Sequence, residues 1–282
     1  QLYTADHDHI QKLEVPNRVT ESNLPPVQVV DMREELKNGN RGIFSKSLAE
    51  SLAEVLERKE QAIVYLNRRG TATYIFCRDC GTTLKCPNCE TPLTLHVEGS
   101  VLSLSKGQMS KVNELLCHRC GYTRQMPKTC PTCTSNQIRE YGLGSERVEA
   151  EIKSMFPQAR TLRWDWDTTR QKDAHEIILT HFTNHQADIL VGTQMLAKGL
   201  DLPLVTLVGI VLADVGLNLP DPFANEKVFQ TLTQVAGRAG RSARGGKVIM
   251  QTFTPEHYAL QFAAGHDVDG FYTRELEYRK QL

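Results

Sequence analysis

Apolar residues recur in this chain in two patterns, as short unbroken runs and as stripes at helical spacing. The runs predict strands at 61–66, 188–191 and 204–212, the last of them nearly all apolar, as a doubly covered parallel strand should be. Two further strands are expected at 161–164 and 247–252. The stripes predict helices at 45–58, at 171–185 and from about 227 to 241, with another that follows 142–147. Strands that alternate with helices in this way predict an α/β fold with a Rossmann-like parallel sheet.

Individual side chains refine these elements. Ser47 with Glu50 is a candidate capping box for the first helix. In the helix at 171–185, Ile177 is expected to face inward with its apolar neighbours. The polar run 165–169 predicts a turn rather than a metal site, because its aspartates lack the partners that Mg²⁺ needs. Trp164 either stacks on a nucleic-acid base or packs against the sheet.

The same pattern predicts the organisation of the chain. Residues 1–44 are poorly periodic and predict a linker from a preceding lobe, with an edge strand at 27–30. Residues 45–76 and 137–253 are expected to form one lobe, which residues 77–136 interrupt as a cysteine-rich module. Residues 254–282 predict the start of a C-terminal region, with a helical tail from Asp267.

Composition narrows the class of protein. The chain has 282 residues, 40% of them hydrophobic, and a formal net charge of +0. This charge argues against a protein that coats nucleic acid without sequence preference, although a local basic groove remains compatible with it. No apolar run is long enough to span a bilayer, and no signal peptide is visible at Gln1.

All eight cysteines lie in Cys-x-x-Cys pairs, which favours metal ligands in a reducing compartment over disulfides. Eight thiolates make two tetrahedral sites for structural Zn²⁺ with no open position, which excludes a zinc-dependent hydrolase. The short gaps from Cys80 to Cys86 and from Cys120 to Cys130 favour a nested arrangement over two sites in series. Redox Cys-x-x-Cys motifs are the rival, and the repeated turn formers argue against it. The predicted ligands are Cys77, Cys80, Cys86, Cys89, Cys117, Cys120, Cys130 and Cys133.

A second candidate site lies in the run from Gln234 to Arg241, expected at the end of a helix. On a helical wheel Gln234, Arg238 and Arg241 fall on one face, and the neighbouring stripe is apolar. Two guanidiniums held outward in fixed register suit the clamping of a transferring γ-phosphoryl group, the arginine-finger role. The alternative is a solvated basic helix end, against which the flanking glycines argue.

This run resembles motif VI of the superfamily 2 helicases, Gln-x-x-Gly-Arg-x-Gly-Arg. The run 192–199 resembles motif V of the same superfamily, in the form that its replication-restart members have. The run 65–70 and the four cysteine pairs that follow fit those members too, so the resemblance covers nearly the whole chain. It implies a RecA-like lobe, and it also implies nesting of the cysteine pairs, with 77/80 joined to 130/133 and 86/89 to 117/120.

The resemblance assigns roles to individual residues. Arg238, Arg241 and Gln234 would act in catalysis on ATP, and Gly199 and Asp201 would approach the nucleotide together with the arginines. Contacts to DNA phosphates are expected from side chains near strand ends, and the candidates are Arg68, Arg69, Ser145, Thr193 and Gln194. ATP and Mg²⁺ would be shared with a first lobe that holds the phosphates.

The function that the resemblance implies is an ATP-dependent 3′-to-5′ DNA helicase that restarts stalled replication forks and assembles the primosome. Its partners would be forked DNA, primosome proteins and single-strand-binding proteins, in the cytoplasm at the nucleoid and away from any membrane. The sequence has no Gly-x-x-x-x-Gly-Lys-[Ser/Thr] and no Asp-Glu-x-His, so this chain alone is expected not to hydrolyse ATP.

Two positions depart from the pattern of those helicases. Leu212 stands where an acidic residue is common, and Asp221-Pro222-Phe223 replaces an expected Asp-aromatic-Arg. These departures keep a rival hypothesis open, in which the chain is a zinc-stapled platform for DNA or protein whose ATPase is vestigial.

Overall fold

The computed structural model describes the following residues: 24–67, 74–77, 79–89, 92–96, 114–117, 120–141, 143–165, 168–169, 173–193, 202–217, 221–239 and 245–280. They form a six-stranded parallel sheet and a five-stranded antiparallel sheet. The antiparallel sheet is inserted into the parallel one, between its second strand and the next strand along the chain.

The parallel sheet has the strand order β1-β11-β10-β2-β9-β8. Every residue of β2, β9 and β10 is buried, because helices cover both faces of the sheet, and this confirms the strands predicted from unbroken apolar runs. The strands are β1 (Val27–Asp31), β2 (Gln61–Leu66), β8 (Thr161–Trp164), β9 (Ile189–Gly192), β10 (Val205–Val211) and β11 (Lys247–Thr252).

Seven helices accompany the described strands: α1 (Met32–Lys37), α2 (Lys46–Glu57), α3 (Ser145–Met155), α4 (Ala174–Thr183), α5 (Ala224–Ala236), α6 (Tyr258–Ala264) and α7 (Val268–Lys280). Helices α1 to α3 pack on one face of the sheet around Leu48, and α4 to α7 pack on the other around Phe182. The doubly covered parallel sheet confirms the predicted fold class. No helix in the described ranges has both the length and the apolar character that a bilayer crossing requires.

Three details of the predicted helices are wrong. Helix α2 is capped by Ser45, whose side chain accepts from the Leu48 amide, and not by a box of Ser47 and Glu50. Ile177 is 54% exposed, because the buried stripe of α4 follows Ala174, Ile178 and Phe182. Helix α5 ends at Ala236, so the predicted helix does not continue to Arg238.

The antiparallel sheet has the order β6-β5-β4-β3-β7. Its strands are β3 (Tyr74–Cys77), β4 (Thr94–His96), β5 (Glu114–Leu116), β6 (Thr123–Gln125) and β7 (Ile138–Tyr141). Its small core contains Ile75, Leu93 and Leu115 together with several of the cysteines. A core this small needs further support, which the cysteines are placed to supply through metal.

Candidate metal centres and the ligand edge

The eight cysteines form two tetrads, and in each tetrad the sulfurs lie within 4.8 Å of one another. The outer tetrad is Cys77, Cys80, Cys130 and Cys133, and the inner tetrad is Cys86, Cys89, Cys117 and Cys120. This grouping confirms the predicted nesting of the pairs.

The spacing of the sulfurs fits a tetrahedral ion. The Sγ–Sγ distances are 3.5 Å from Cys77 to Cys133 and 3.6 Å from Cys80 to Cys130 in the outer tetrad. The inner tetrad has 3.5 Å from Cys86 to Cys120. Four sulfurs at zinc–sulfur bonds of about 2.3 Å stand roughly 3.8 Å apart, so only a small adjustment would seat Zn²⁺ in either tetrad.

Three of the cysteine pairs each form the same type of backbone turn. In each, the amide four residues after the first cysteine donates to that cysteine's carbonyl, at 2.8 Å for Gly81 and 2.9 Å for Gly121 and Thr134. The donor residue takes a left-handed conformation each time, with φ of 73°, 74° and 59° respectively. The two glycines were visible as turn formers in the sequence, whereas Thr134 was not, because a threonine rarely adopts this conformation.

Protons are shared unevenly within the outer tetrad. Burial alone would raise the pKa of Cys130, but amide donors from Cys133 and Thr132 outweigh it, and the pKa falls to about 7. An amide from Ser135 lowers the pKa of Cys133, yet hydrogen bonding with Cys80 and burial prevail and raise it to about 12. The amide donors around Cys130 therefore favour its thiolate form.

A second site lies where the six parallel strands end, which we call the ligand edge because open α/β sheets bind ligands there. The residues that follow the strands at this edge include Asn67, Asp165, Thr193, Asp214 and Phe253. Asn67 donates from Nδ2 to the Val215 carbonyl at 2.5 Å, which ties the end of β2 to the end of β10.

Asp214 joins the ends of β10 and β11, and the sequence analysis missed it. Its carboxylate accepts from the Phe253 amide at 3.0 Å and from the hydroxyls of Thr252 at 2.6 Å and Thr254 at 2.5 Å. Only 5% of Asp214 is exposed, so these bonds replace the water that the buried carboxylate has lost. The signal available in the sequence was an aspartate just after an apolar run, with one threonine at the end of the neighbouring run and a second one two residues later.

Ser145 does not present its hydroxyl to a ligand. The side chain is 1% exposed, and Oγ donates to Asp165 at 2.5 Å. Burial raises the pKa of Asp165, but the Ser145 hydroxyl, the Thr168 amide and the Arg163 charge lower it further, so the carboxylate stays ionised. The hydroxyl therefore stabilises the predicted turn at Asp165, and a contact of Ser145 with DNA stays a prediction.

Trp164 packs inside the protein, which is one of the two roles predicted for it; the other was stacking on a nucleic-acid base. It is 4% exposed, and its Nε1 donates to Nδ1 of His175 at 2.9 Å. Thr193 lies half-buried at the end of β9, where its amide donates to the Trp164 carbonyl at 3.2 Å. Its side chain remains a candidate for a phosphate contact.

Arg238 is buried, with 6% of its surface exposed, and the expectation that it is held outward is wrong. The physical reason is that α5 ends at Ala236, and the Arg238 amide donates to the Val235 carbonyl at 3.0 Å, so a tighter turn replaces the α-helical register that the prediction assumed. Gln234 itself is exposed. The remaining predicted site residues, Arg68, Arg69, Gln194, Gly199, Asp201 and Arg241, lie outside the described residues.

The structure shows the surroundings of the two positions, 212 and 223, that depart from the helicase pattern. Leu212 is 9% exposed and takes a left-handed φ of 56°, so it begins the turn that leads to Asp214. Phe223 is 50% exposed, and the Arg279 guanidinium lies 4.6 Å from the centre of its ring. A cation is therefore present at this position, although it comes from α7.

Comparison with known proteins agrees with this geometry. Residues 145–243 match the model of the helicase conserved C-terminal domain, so the chain contains a helicase C-terminal domain. The replication restart protein PriA of Bacillus subtilis (strain 168) is 47% identical over 269 residues, which is 95% of this chain and 32% of that protein. PriA of Synechocystis sp. is 47% identical over 271 residues, which is 96% of this chain and 31% of that protein. With its helicase domain and its two cysteine tetrads, the chain belongs to the PriA family of replication restart proteins.

The chain spans about a third of the length of these curated relatives. Among solved structures, S. cerevisiae Dbp5 bound to RNA and ADP BeF3 is 12% identical, with a TM-score of 0.40 over 91% of this chain and 45% of that one. That likeness is too distant to bear on the assignment.

Proposed function

We propose that this chain is the second motor lobe and zinc module of an ATP-dependent 3′-to-5′ DNA helicase that restarts stalled replication forks and assembles the primosome. The observation that carries the proposal is the likeness to PriA over 95% of the chain, which includes both the parallel sheet and the cysteine tetrads. Forked DNA, primosome proteins and single-strand-binding proteins are the partners that this function implies.

In this proposal the lobe completes a split ATP site. A first lobe would hold the phosphates and Mg²⁺, while Arg238, Arg241 and Gln234 act on the transferring γ-phosphoryl group, and Gly199 and Asp201 approach the nucleotide. Arg238 is buried in the lobe by itself, so the loop after α5 would have to rearrange when the lobes close on ATP. Without a phosphate-binding loop, the chain alone is expected to be inactive.

DNA would lie along the ligand edge. Arg68 and Arg69 follow Asn67, which is anchored to the end of β10, and Thr193 and Gln194 follow β9. Side chains at the ends of adjacent strands are well placed to hold successive phosphates. Since Thr193 and Gln194 also precede Gly199 and Asp201 in the chain, one segment would contact both ligands, and ATP could change the grip on DNA.

Each cysteine tetrad would hold one structural Zn²⁺. Four thiolates fill a tetrahedral ion, so neither site would leave a position for water or substrate. The ions would instead stabilise the five-stranded sheet, whose core is too small to do so alone.

The test is an exchange experiment. This chain replaces the matching third of B. subtilis PriA, and DNA-stimulated ATP hydrolysis and unwinding of forked DNA are measured. The chimera is expected to be active, and Arg241→Ala is expected to lower ATP hydrolysis by ~10³-fold or more, as for a lost arginine finger. Arg274→Ala, an exposed arginine of α7, is the control. An active chimera that tolerates Arg241→Ala would contradict the proposed role of that arginine.

A second candidate function is the zinc-stapled DNA or protein platform with a vestigial ATPase. The burial of Arg238 favours it, because a buried guanidinium reaches no nucleotide without a rearrangement. The same chimera distinguishes the two functions. A platform would give a protein that binds forked DNA but whose ATP hydrolysis DNA does not stimulate.

A further inference from the structure

The outer tetrad is in contact with the ligand edge through one arginine. Arg33 lies in the first turn of α1, directly after β1 ends, and its aliphatic stem packs on Gly81 of the turn formed by Cys77 and Cys80. A Cβ placed on Gly81 would lie 2.5 Å from Cγ of Arg33, closer than two such atoms can approach. The metal-binding turn and the end of β1 are therefore packed with no space between them.

The guanidinium of Arg33 reaches two acidic groups at the ligand edge. It donates to Asp31, the N-cap of α1, from Nε at 2.9 Å and from Nη2 at 2.8 Å. It also donates to Glu256, in the turn between β11 and α6, at 3.1 Å and 3.0 Å. Arg33 therefore joins three segments, and its planar fork fixes their relative orientation in a way that a lysine could not.

Two further contacts join the outer tetrad to the same edge. The rings of Phe76, just before Cys77, and Phe253, just after β11, have centroids 4.5 Å apart. Asp79, inside the first cysteine turn, accepts from Arg41 at 2.9 Å and also from the hydroxyl of Ser135, which follows Cys133. Both halves of the outer tetrad are thus linked to the lobe.

The inner tetrad offers a matched contrast. Gly121 has the same place in its cysteine turn as Gly81 and nearly the same φ, 74° against 73°. A Cβ placed on Gly121 meets no described atom within 4 Å. The two turns have the same local geometry, and only the outer one packs against Arg33.

We propose that Arg33 is a positioning residue through which metal binding at the outer tetrad orders the turn between β11 and α6, whereas metal binding at the inner tetrad does not. The turn begins with Phe253 and Thr254, which hold Asp214, and it includes Glu256. A loosened outer turn removes the support of Arg33 and Phe76 at the same time. The inference does not rest on the proposed motor function, because neither ATP nor DNA takes part in it.

The test compares two matched cysteine variants of the zinc-loaded chain. Cys133 and Cys120 are each the last ligand of a tetrad, and both are exposed. Amide hydrogen exchange is measured for peptides that cover residues 251–258. Cys133→Ser is expected to speed exchange there by about fivefold or more, the lower range of measured couplings between sites, while Cys120→Ser leaves it unchanged. Equal effects of the two variants, or no effect of either, would overturn the proposal.

Arg33 variants test whether the arginine carries the effect. In the zinc-loaded chain, Arg33→Ala is expected to speed exchange in the turn as much as Cys133→Ser does, and combining the two should add little. Exchange in β10 and the zinc content report whether each variant is folded. If Cys133→Ser does not fold, Arg33→Lys provides the test. This variant keeps an aliphatic side chain and a positive charge but loses the planar guanidinium that bonds to Asp31 and Glu256. Full protection of the turn in Arg33→Lys would then overturn the proposal.

Discussion

The outer and inner cysteine tetrads have the same ligands and nearly the same turns, but different surroundings. Gly81 of the outer tetrad packs on Arg33, whereas Gly121 of the inner tetrad faces open space among the described atoms. The outer tetrad also lies next to Phe253 at the end of β11 through Phe76. The chemistry of a metal site is therefore local, and its connection to the rest of the protein depends on residues far away in the chain.

The largest expected effect comes from removing metal from both tetrads. Structural Zn²⁺ contributes about 10–16 kcal/mol to small zinc-binding domains, and the five-stranded sheet has little other support. A strong chelator is therefore expected to unfold that sheet, as measured by hydrogen exchange of β3 to β7. The six-stranded sheet has a core on each face and should stay folded.

Two controls show whether the loss of structure is due to the loss of Zn²⁺. Addition of Zn²⁺ should restore protection of the five-stranded sheet, and a chelator selective for Mg²⁺ should have no effect. Protected strands in the metal-free chain would contradict a structural role for the tetrads. Loss of protection in β10 would show that the two sheets unfold as one unit.

The second-largest expected effect distinguishes a residue at the contact between the two sheets from a residue in the core of the five-stranded sheet. Phe253→Ala removes a ring that is 9% exposed and should lower the free energy of unfolding by about 3–5 kcal/mol. Because Phe253 contacts both sheets, both should be destabilised. Leu115 is fully buried inside the inserted sheet, so Leu115→Ala should cost about 2–5 kcal/mol there and leave the parallel sheet unchanged.

The measurement is denaturant unfolding followed separately in each sheet by pulsed hydrogen exchange. Ile177→Ala is a suitable control, because its side chain is 54% exposed on α4 and should matter little. If Phe253→Ala and Leu115→Ala give the same pattern, the ring pair does not join the two sheets.

The sequence predicted what depends on local pattern. The strands Thr161–Trp164 and Lys247–Thr252 have the predicted bounds, and β10 is buried throughout, as its nearly continuous apolar run predicted. The nested tetrads follow from the spacing of the cysteine pairs. The strands of the inserted sheet are too short, at three or four residues each, to leave a periodic signal.

The features that the sequence could not predict depend on where helices end and on contacts between residues that are far apart in the chain. The burial of Arg238 follows from the end of α5 at Ala236, and helix ends are the least certain feature of a periodic pattern. The contact of Arg33 with Gly81 needs the fold itself, because nothing near either residue in the chain indicates the other. Asp214 is similar, since its partners follow a different strand.

The smallest effect gives the most direct test of the contrast between the tetrads, as a double-mutant cycle on the zinc-loaded chain. Gly81→Ala and Gly121→Ala strain similar left-handed turns, but only the first forces a Cβ to 2.5 Å from Cγ of Arg33. Arg33→Ala removes that Cγ and should relieve part of the cost of Gly81→Ala. Free energies of unfolding should therefore show a coupling of about 0.5 kcal/mol or more between Gly81→Ala and Arg33→Ala, and additivity within about 0.3–0.5 kcal/mol between Gly121→Ala and Arg33→Ala. Additivity in both cycles would contradict the account, because the outer tetrad would then be no more connected to the ligand edge than the inner one.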